Sequence, residues 1–270
     1  RAFAAGGGAV FVPPFDDPDL VAGQGPLGLE LADEAADAEV VVVPVGGGGL
    51  LAGVAVALAH TQRSVRVIAV EAAGAPTLTA ARRAGHPVLL DRMATMADGI
   101  AVGAVSELTF AHAQAYVDDV VTVDEEEISQ AMLLLVERAK AVVEPSGAAA
   151  LAAVLAGKVP GSGPAVAVLS GGNIDPLLLT KLIEHGLSAA GRYLVLRIVM
   201  DDRPGALASL TAELARLRLN VLDVEHHRSG RSLHLAEVEV AVTVETRNDE
   251  HHLEVLATLR AAGYRAERLA

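Results

Sequence analysis

"VVVVPVGGGGLLAGVAVALA" spans residues 40–59 and holds no charged side chain, one proline and four consecutive glycines. A membrane span, a nucleotide site and a phosphate cradle are all compatible with that composition. The membrane reading fails on mechanism. Pro44 followed by Gly46, Gly47, Gly48 and Gly49 would open the backbone ladder in mid-bilayer, where no water can satisfy it. Read as strand, turn and helix, every residue has a place. The β-branched run "VVVVPV" stops at the glycines, and "LLAGVAVALAH" is an apolar helix closed by polar "HTQRS".

The remaining totals set bounds on function. A chain of 270 residues suits one large domain, or a domain with a small companion. Apolar residues make up 52% and aromatics only 3%, so the core is built from Val, Leu, Ile and Ala. With 21 basic and 34 acidic residues the net charge is −13, which argues against nucleic acid or anionic membrane as a partner. An anionic ligand has to be held locally, by backbone N–H groups and helix ends. The lack of cysteine excludes disulfides and thiolate metal sites and fits a reducing, cytoplasmic location. The opening "RAFAAGGGAVFVPPF" lacks the pattern of a signal peptide and does not begin with Met, so a fragment is expected.

One rhythm runs through the first part of the chain. Strand-like runs occur at 40–43, 65–70, 120–123 and 165–169, with helix-like segments between them. The clearest helix is 125–143, with Ile128, Met132, Leu135, Val136, Ala139 and Val143 on one face, and Asp124 and Glu127 at capping-box spacing. Short strands buried on both faces and alternating with helices predict a parallel α/β sheet. "HGLSAAGR" (185–192) reads as a linker. Beyond it come a strand (193–200), a "DRPG" turn (202–205), and a helix striped by Leu207, Leu210, Leu214 and Leu217. A hairpin turning at Ser229 and Gly230 follows, with a bulge expected near Ala236 and Glu237. A helix over about 249–262 and a last strand finish a β-α-β-β-α-β, ferredoxin-like order.

The glycine run admits two phosphate ligands. Gly47, Gly49 and Ala52 satisfy G-x-G-x-x-A, and Glu71 ends the next strand where a ribose-binding acid would sit, as in a nicotinamide-dependent oxidoreductase. A single phosphate monoester wrapped by four glycines is the alternative. A tight turn without any ligand is the third reading. A second motif, "AVAVLSGGNIDP", places Ser170, Gly171, Gly172 and Asn173 directly after another strand, facing the same crevice.

"FVPPFDDPDLVAGQGPLGLE", "VVVPVGGGGLLAG", "TMADGIAV", "VVEPSGAAALAAVL" and "VLSGGNID" together resemble the threonine ammonia-lyases (threonine deaminases), pyridoxal-phosphate enzymes of fold type II, related to tryptophan synthase β. The resemblance covers 1–190, as the later part of a catalytic domain. Residues 193–270, with "DDRPGALASL", resemble an ACT regulatory domain. It implies pyridoxal 5'-phosphate as cofactor, held by Gly46, Gly47, Gly48, Gly49 and Leu50 at the phosphate and by Ser170 at the pyridine nitrogen. A hydroxyl partner does not hold that nitrogen protonated, so the ring is a weaker electron sink, suited to β-elimination. The implied reaction is deamination of L-threonine, with L-serine as second substrate, to a 2-oxo acid and ammonia. An amino acid regulates it, as in isoleucine biosynthesis, in a homo-oligomer. Its effector seat is expected at Asp202, Arg203, Pro204, Gly205, Ala206 and Leu207, where free N–H groups of a helix start meet a carboxylate. In some relatives an acid at Glu71 begins a cation site, but the third ligand position falls on Thr77, and no metal is expected.

One part is missing. The resemblance requires a Schiff-base lysine in a serine-x-lysine-x-arginine-glycine stretch ahead of the glycine loop. The chain has only Lys140, Lys158 and Lys181, none in that context, and the substrate-binding serine–glycine–asparagine motif is absent too. These residues are therefore expected to be the C-terminal part of such an enzyme, inactive alone. An amino-acid-sensing remnant remains as a non-enzymatic alternative. His226, His227 and His234 near the hairpin turn read as exposed strand residues rather than metal ligands, and His251 and His252 lie at a helix start.

Overall fold

A computed structural model describes residues 9–61, 64–228, 234 and 236–269. Its internal contacts divide the chain into two units, Arg1–Ile183 and Glu184–Ala270. In the first unit, helix α1 (Pro18–Glu34) starts at Asp17, whose carboxylate accepts from the N–H of Asp19 at 2.9 Å. The order continues β1 (Val40–Pro44), α2 (Gly49–Ala59), β2 (Arg66–Ala72), α3 (Thr77–Ala84), α4 (Glu107–Tyr116), β3 (Asp119–Val123), α5 (Glu125–Leu134), α6 (Pro145–Leu155), β4 (Ala165–Ala167) and α7 (Pro176–Ala189). The four strands form one parallel sheet in the order β3-β2-β1-β4.

β1 lies between two strands, and its side chains alternate between two cores. Val40 and Val42 pack with Ile128, Met132 and the alanines of α6 on one face, while Val41 and Val43 pack with Leu51, Leu58 and Phe110 on the other. Burial on both faces is why this strand is a continuous run of valine.

Two boundaries differ from the sequence reading. The 125–143 helix keeps its Asp124–Glu127 capping box, but its α form stops at Leu134. It passes into a π turn, Leu135–Ala139, that ends at Lys140 with φ +56°. The tertiary bond from the Glu144 N–H to Gly171 O, 3.0 Å, holds the following chain extended where side-chain periodicity continues as a helix. The expected linker over 185–192 is mostly helix. Asp175 accepts from the N–H of Leu177 at 2.8 Å and of Leu178 at 3.2 Å at the start of α7, which runs on to Ala189. The small residues there tolerate helix, and Gly191 at φ +67° follows it.

The second unit contains β5 (Tyr193–Asp201), α8 (Ala206–Arg216), β6 (Val221–His227), β7 (Glu237–Glu245), α9 (Asp249–Ala261) and β8 (Arg265–Arg268). Its sheet is antiparallel, ordered β6-β7-β5-β8. Leu194, Leu196 and Ile198 of β5, with Val240, Val242 and Val244 of β7, meet Leu210, Leu214 and Leu259 in one core. Leu207 and Leu217, the ends of the leucine stripe, are only partly buried against it. The register irregularity lies in β6, between Val221 and Asp223, rather than at Ala236 and Glu237, where β7 begins. The Ser229–Gly230 turn falls outside the described residues. Among the described residues no helix is long and apolar enough to cross a membrane.

Candidate functional site

Strands β1 and β4 are parallel neighbours, so the loops that follow them emerge at the same edge of the sheet. There they wall a cavity of about 850 Å³. Gly46, Gly47, Gly48, Gly49 and Leu50 line one side and Ser170 another. The glycine loop is shaped by its own backbone. Gly48, the N-cap of α2, has φ +93° and ψ 0°, and a Cβ built on it would stand 2.8 Å from the Cβ of Thr109. Any other residue there would be strained and crowded at once. The first helical bond of α2 runs from the Ala52 N–H to Gly48 O at 2.9 Å. The N–H groups of Gly49, Leu50 and Leu51 precede it, at the positive end of the helix and on the cavity wall. That is an anion seat built from backbone, in keeping with the acidic net charge.

Further lining comes from the start of α6. Glu144 is its N-cap, and its N–H bond to Gly171 O joins that turn to the loop carrying Ser170. Ser146, at the start of the helix, is 3% exposed. Its Oγ is buried without a hydrogen-bond partner among the described residues, on the wall of the same cavity. A Cβ on neighbouring Gly99 would lie 2.7 Å from that Oγ. Ser170 itself is exposed, three residues beyond β4. These residues fit pyridoxal phosphate: a glycine cradle for the dianion, a serine hydroxyl across from it, and a buried hydroxyl that a polar ligand would satisfy. Glu144 and Ser146 escaped sequence reasoning as site residues. Inside "VVEPSGAAALAAVL" they read as the lead-in to a helix of small residues, and only the Glu144–Gly171 bond brings them to the cavity.

None of the lysines lines this cavity. Lys140 donates to Glu137 O at 2.8 Å, and Lys158 forms an ion pair with Glu127 at 2.6 Å. Lys181 is exposed on α7. Glu71 departs from its reading as a ribose-binding acid. It is fully buried, and its carboxylate accepts from the N–H groups of Leu78 and Thr79 and from the Thr79 hydroxyl at 2.6 Å, capping α3. Thr77 donates its hydroxyl to Val102 O at 2.6 Å. A ribose has no access to Glu71, so the nicotinamide reading loses its second element. Burial pushes the Glu71 carboxyl above its ordinary value of 4.5, with the hydrogen bonds from Thr79 and Leu78 offsetting only part of the rise.

In the second unit, Asp202, Arg203, Pro204, Gly205, Ala206 and Leu207 share the wall of a cavity of about 250 Å³ with His226 and Arg228. Gly205, at φ +90°, is the N-cap of α8. Arg228 reaches Asp202 at 3.4 Å, adding a cation to the helix start. Arg228, directly after β6, was not legible as a site residue, because only the fold of the unit brings it to this turn. His227 meets Glu225 at 3.2 Å on exposed β6. His252 is buried, with Nε2 2.9 Å from the Thr246 hydroxyl. α9 turns it into the core of the unit.

Comparison with known proteins gives these geometries a family. Residues 1–171 match the family model described as pyridoxal-phosphate dependent enzyme, and residues 194–261 match the ACT domain. An L-threonine ammonia-lyase of Geobacter sulfurreducens is 46% identical over 258 residues, covering 95% of this chain and 64% of that protein. Its counterpart from Thermotoga maritima is 44% identical with the same coverages, 95% and 64%. The chain thus spans just under two thirds of the length of these relatives. Among solved structures, a T.th. threonine deaminase superposes with a TM-score of 0.62 at 40% identity, covering 65% of this chain and 64% of that one. With a matched catalytic-family model over its first unit and a matched regulatory model over its second, the chain belongs to the pyridoxal-phosphate dependent enzymes of fold type II and carries an ACT domain.

Proposed function

We propose that the chain is the cofactor-phosphate part of a threonine ammonia-lyase that deaminates L-threonine, with L-serine as the second substrate, to a 2-oxo acid and ammonia. The observation that carries this is the single cavity onto which the glycine loop, Ser146 and Ser170 converge. Similarity to the Geobacter and Thermotoga enzymes supports the substrate.

In this reading the N–H groups from Gly46 to Leu50 hold the phosphate. Ser170 would meet the ring nitrogen without charging it, and Ser146 and Glu144 line the same cavity. Bound pyridoxal phosphate supplies an electron sink for loss of the substrate's Cα proton and β-hydroxyl. Ile100, Val102 and Phe15 line the cavity with apolar surface and exclude water around it. The lysine that takes the proton comes from a part of the protein outside these 270 residues. Residues 1–190 form the catalytic domain and 193–270 the regulatory one. There Asp202 to Leu207, with Arg228, receive the carboxylate of an aliphatic amino acid. The edges β6 and β8 support a homo-oligomer, and the lack of cysteine supports a cytoplasmic location.

The test is equilibrium titration of the chain with pyridoxal phosphate, followed by borohydride and mass spectrometry. One cofactor should bind per chain, be displaced by inorganic phosphate, and leave no adduct on Lys140, Lys158 or Lys181. A chain that binds no cofactor, or a stoichiometric adduct on one of those lysines, refutes this assignment.

A further inference from the structure

The peptide between Gly47 and Gly48 is gripped from behind. Thr109, on the first turn of α4, donates its hydroxyl to Gly47 O at 2.7 Å, a buried bond that spans 62 positions of sequence. Thr109 is 1% exposed and is not on the cavity wall, whereas Gly47 and Gly48 are. The Gly47 carbonyl is therefore turned away from the cavity. In a trans peptide C=O and N–H lie in one plane and point in opposite directions. The Gly48 N–H consequently faces the cavity side. The Cβ position of Gly48 also abuts Thr109, 2.8 Å from its Cβ, so this one side chain backs the loop by contact as well as by hydrogen bond.

The hydroxyl is itself held in place. The Ser106 N–H donates to Thr109 Oγ1 at 3.1 Å, and the Thr109 N–H donates to Ser106 Oγ at 3.1 Å, closing the capping box of α4. With its lone pair receiving from Ser106, the single proton of Thr109 goes to its nearest acceptor, Gly47 O at 2.7 Å; Ser106 Oγ at 3.1 Å and Ser106 O at 3.4 Å are farther, and the Ser106 hydroxyl can donate instead.

We infer that Thr109 is a positioning residue for the anion loop, setting the Gly47–Gly48 peptide so that an N–H and not a carbonyl oxygen faces the cofactor phosphate. The inference rests on the phosphate role proposed for Gly46 to Leu50. Were the peptide turned over, a carbonyl dipole would repel the dianion where a donor now attracts it.

The experiment is titration of the 270-residue chain and its variants with pyridoxal phosphate, with the phosphorus NMR shift of the bound cofactor recorded each time. Thr109→Val keeps the shape and removes the hydroxyl; it should weaken binding about tenfold and move the phosphorus resonance. Thr109→Ser should restore affinity to within about twofold and return the resonance, because the hydroxyl is back. Ser106→Ala removes the cap but keeps the donor to Gly47, and should leave the resonance in place. If Thr109→Val binds like the parent, if serine fails to rescue it, or if Ser106→Ala reproduces its shift, Thr109 is only part of a helix cap and the inference is wrong. A parent chain that binds no pyridoxal phosphate instead overturns the reading of the loop itself, and this inference with it.

Discussion

Glu71 shows how much a single buried carboxylate can weigh. It caps α3 through three hydrogen bonds, yet burial still raises its proton affinity above the ordinary 4.5. The folded chain therefore binds this proton more tightly than the unfolded chain. Stability from this group is fully present below 4.5 and falls as pH rises through the raised folded value. Glu71→Gln has no such proton to lose. Urea midpoints measured on both proteins from pH 4 upward should converge or cross, with the parent losing ground to the variant across that window. A constant difference between the two curves would mean that the hydrogen bonds cancel the effect of burial.

At the scale of elements, the two helix starts that face cavities are built alike. α2 and α8 each begin at a glycine in the left-handed region, Gly48 and Gly205, at φ +93° and +90°. The likeness stops at their surroundings. A Cβ on Gly48 collides with Thr109, while one on Gly205 meets nothing within 4 Å among the described residues. Substitution at Gly205 is therefore opposed by backbone strain alone. Gly205→Val should lower the stability of the second unit by about 1–2 kcal/mol, and Gly205→Asn by clearly less, since asparagine visits that region more readily. Urea unfolding followed by far-ultraviolet circular dichroism separates the two. Equal losses would mean that something other than φ governs the position. The same valine should also blunt any amino-acid response, because it distorts the turn from Asp202 to Leu207.

The whole molecule consists of two units with separate cores, so each ligand should act on its own unit. Scanning calorimetry should resolve two transitions. Pyridoxal phosphate at about 100 times its Kd should stabilise one of them by about 2.7 kcal/mol. A branched-chain amino acid should raise the other, by about 4–8 °C per kcal/mol for a domain of this size. The idea fails if both ligands move the same transition, or if the amino acid moves neither.

Much of this architecture was legible in the chain itself. Strand valines buried on both faces, glycines between strand and helix, and leucines at helical spacing report local geometry, because backbone sterics and side-chain periodicity act over a few residues. Those signals placed β1, the glycine loop, the helix stripe of the second unit and its β-α-β-β-α-β order. Signals that depend on distant partners were silent or misleading. The 125–143 periodicity could not reveal the π turn, nor the extended chain after it that the Glu144–Gly171 bond holds. The acid at Glu71 looked like a ligand until α3 folded onto it, and nothing in the spacing around His252 announced its burial beside Thr246. Ser146 and Thr109 in the first unit, and Arg228 in the second, gained their places only when segments far apart in sequence met within their own unit. Local conformation is written in short-range sterics and periodicity; a site is made by long-range hydrogen bonds and burial, which exist only once the chain has closed on itself.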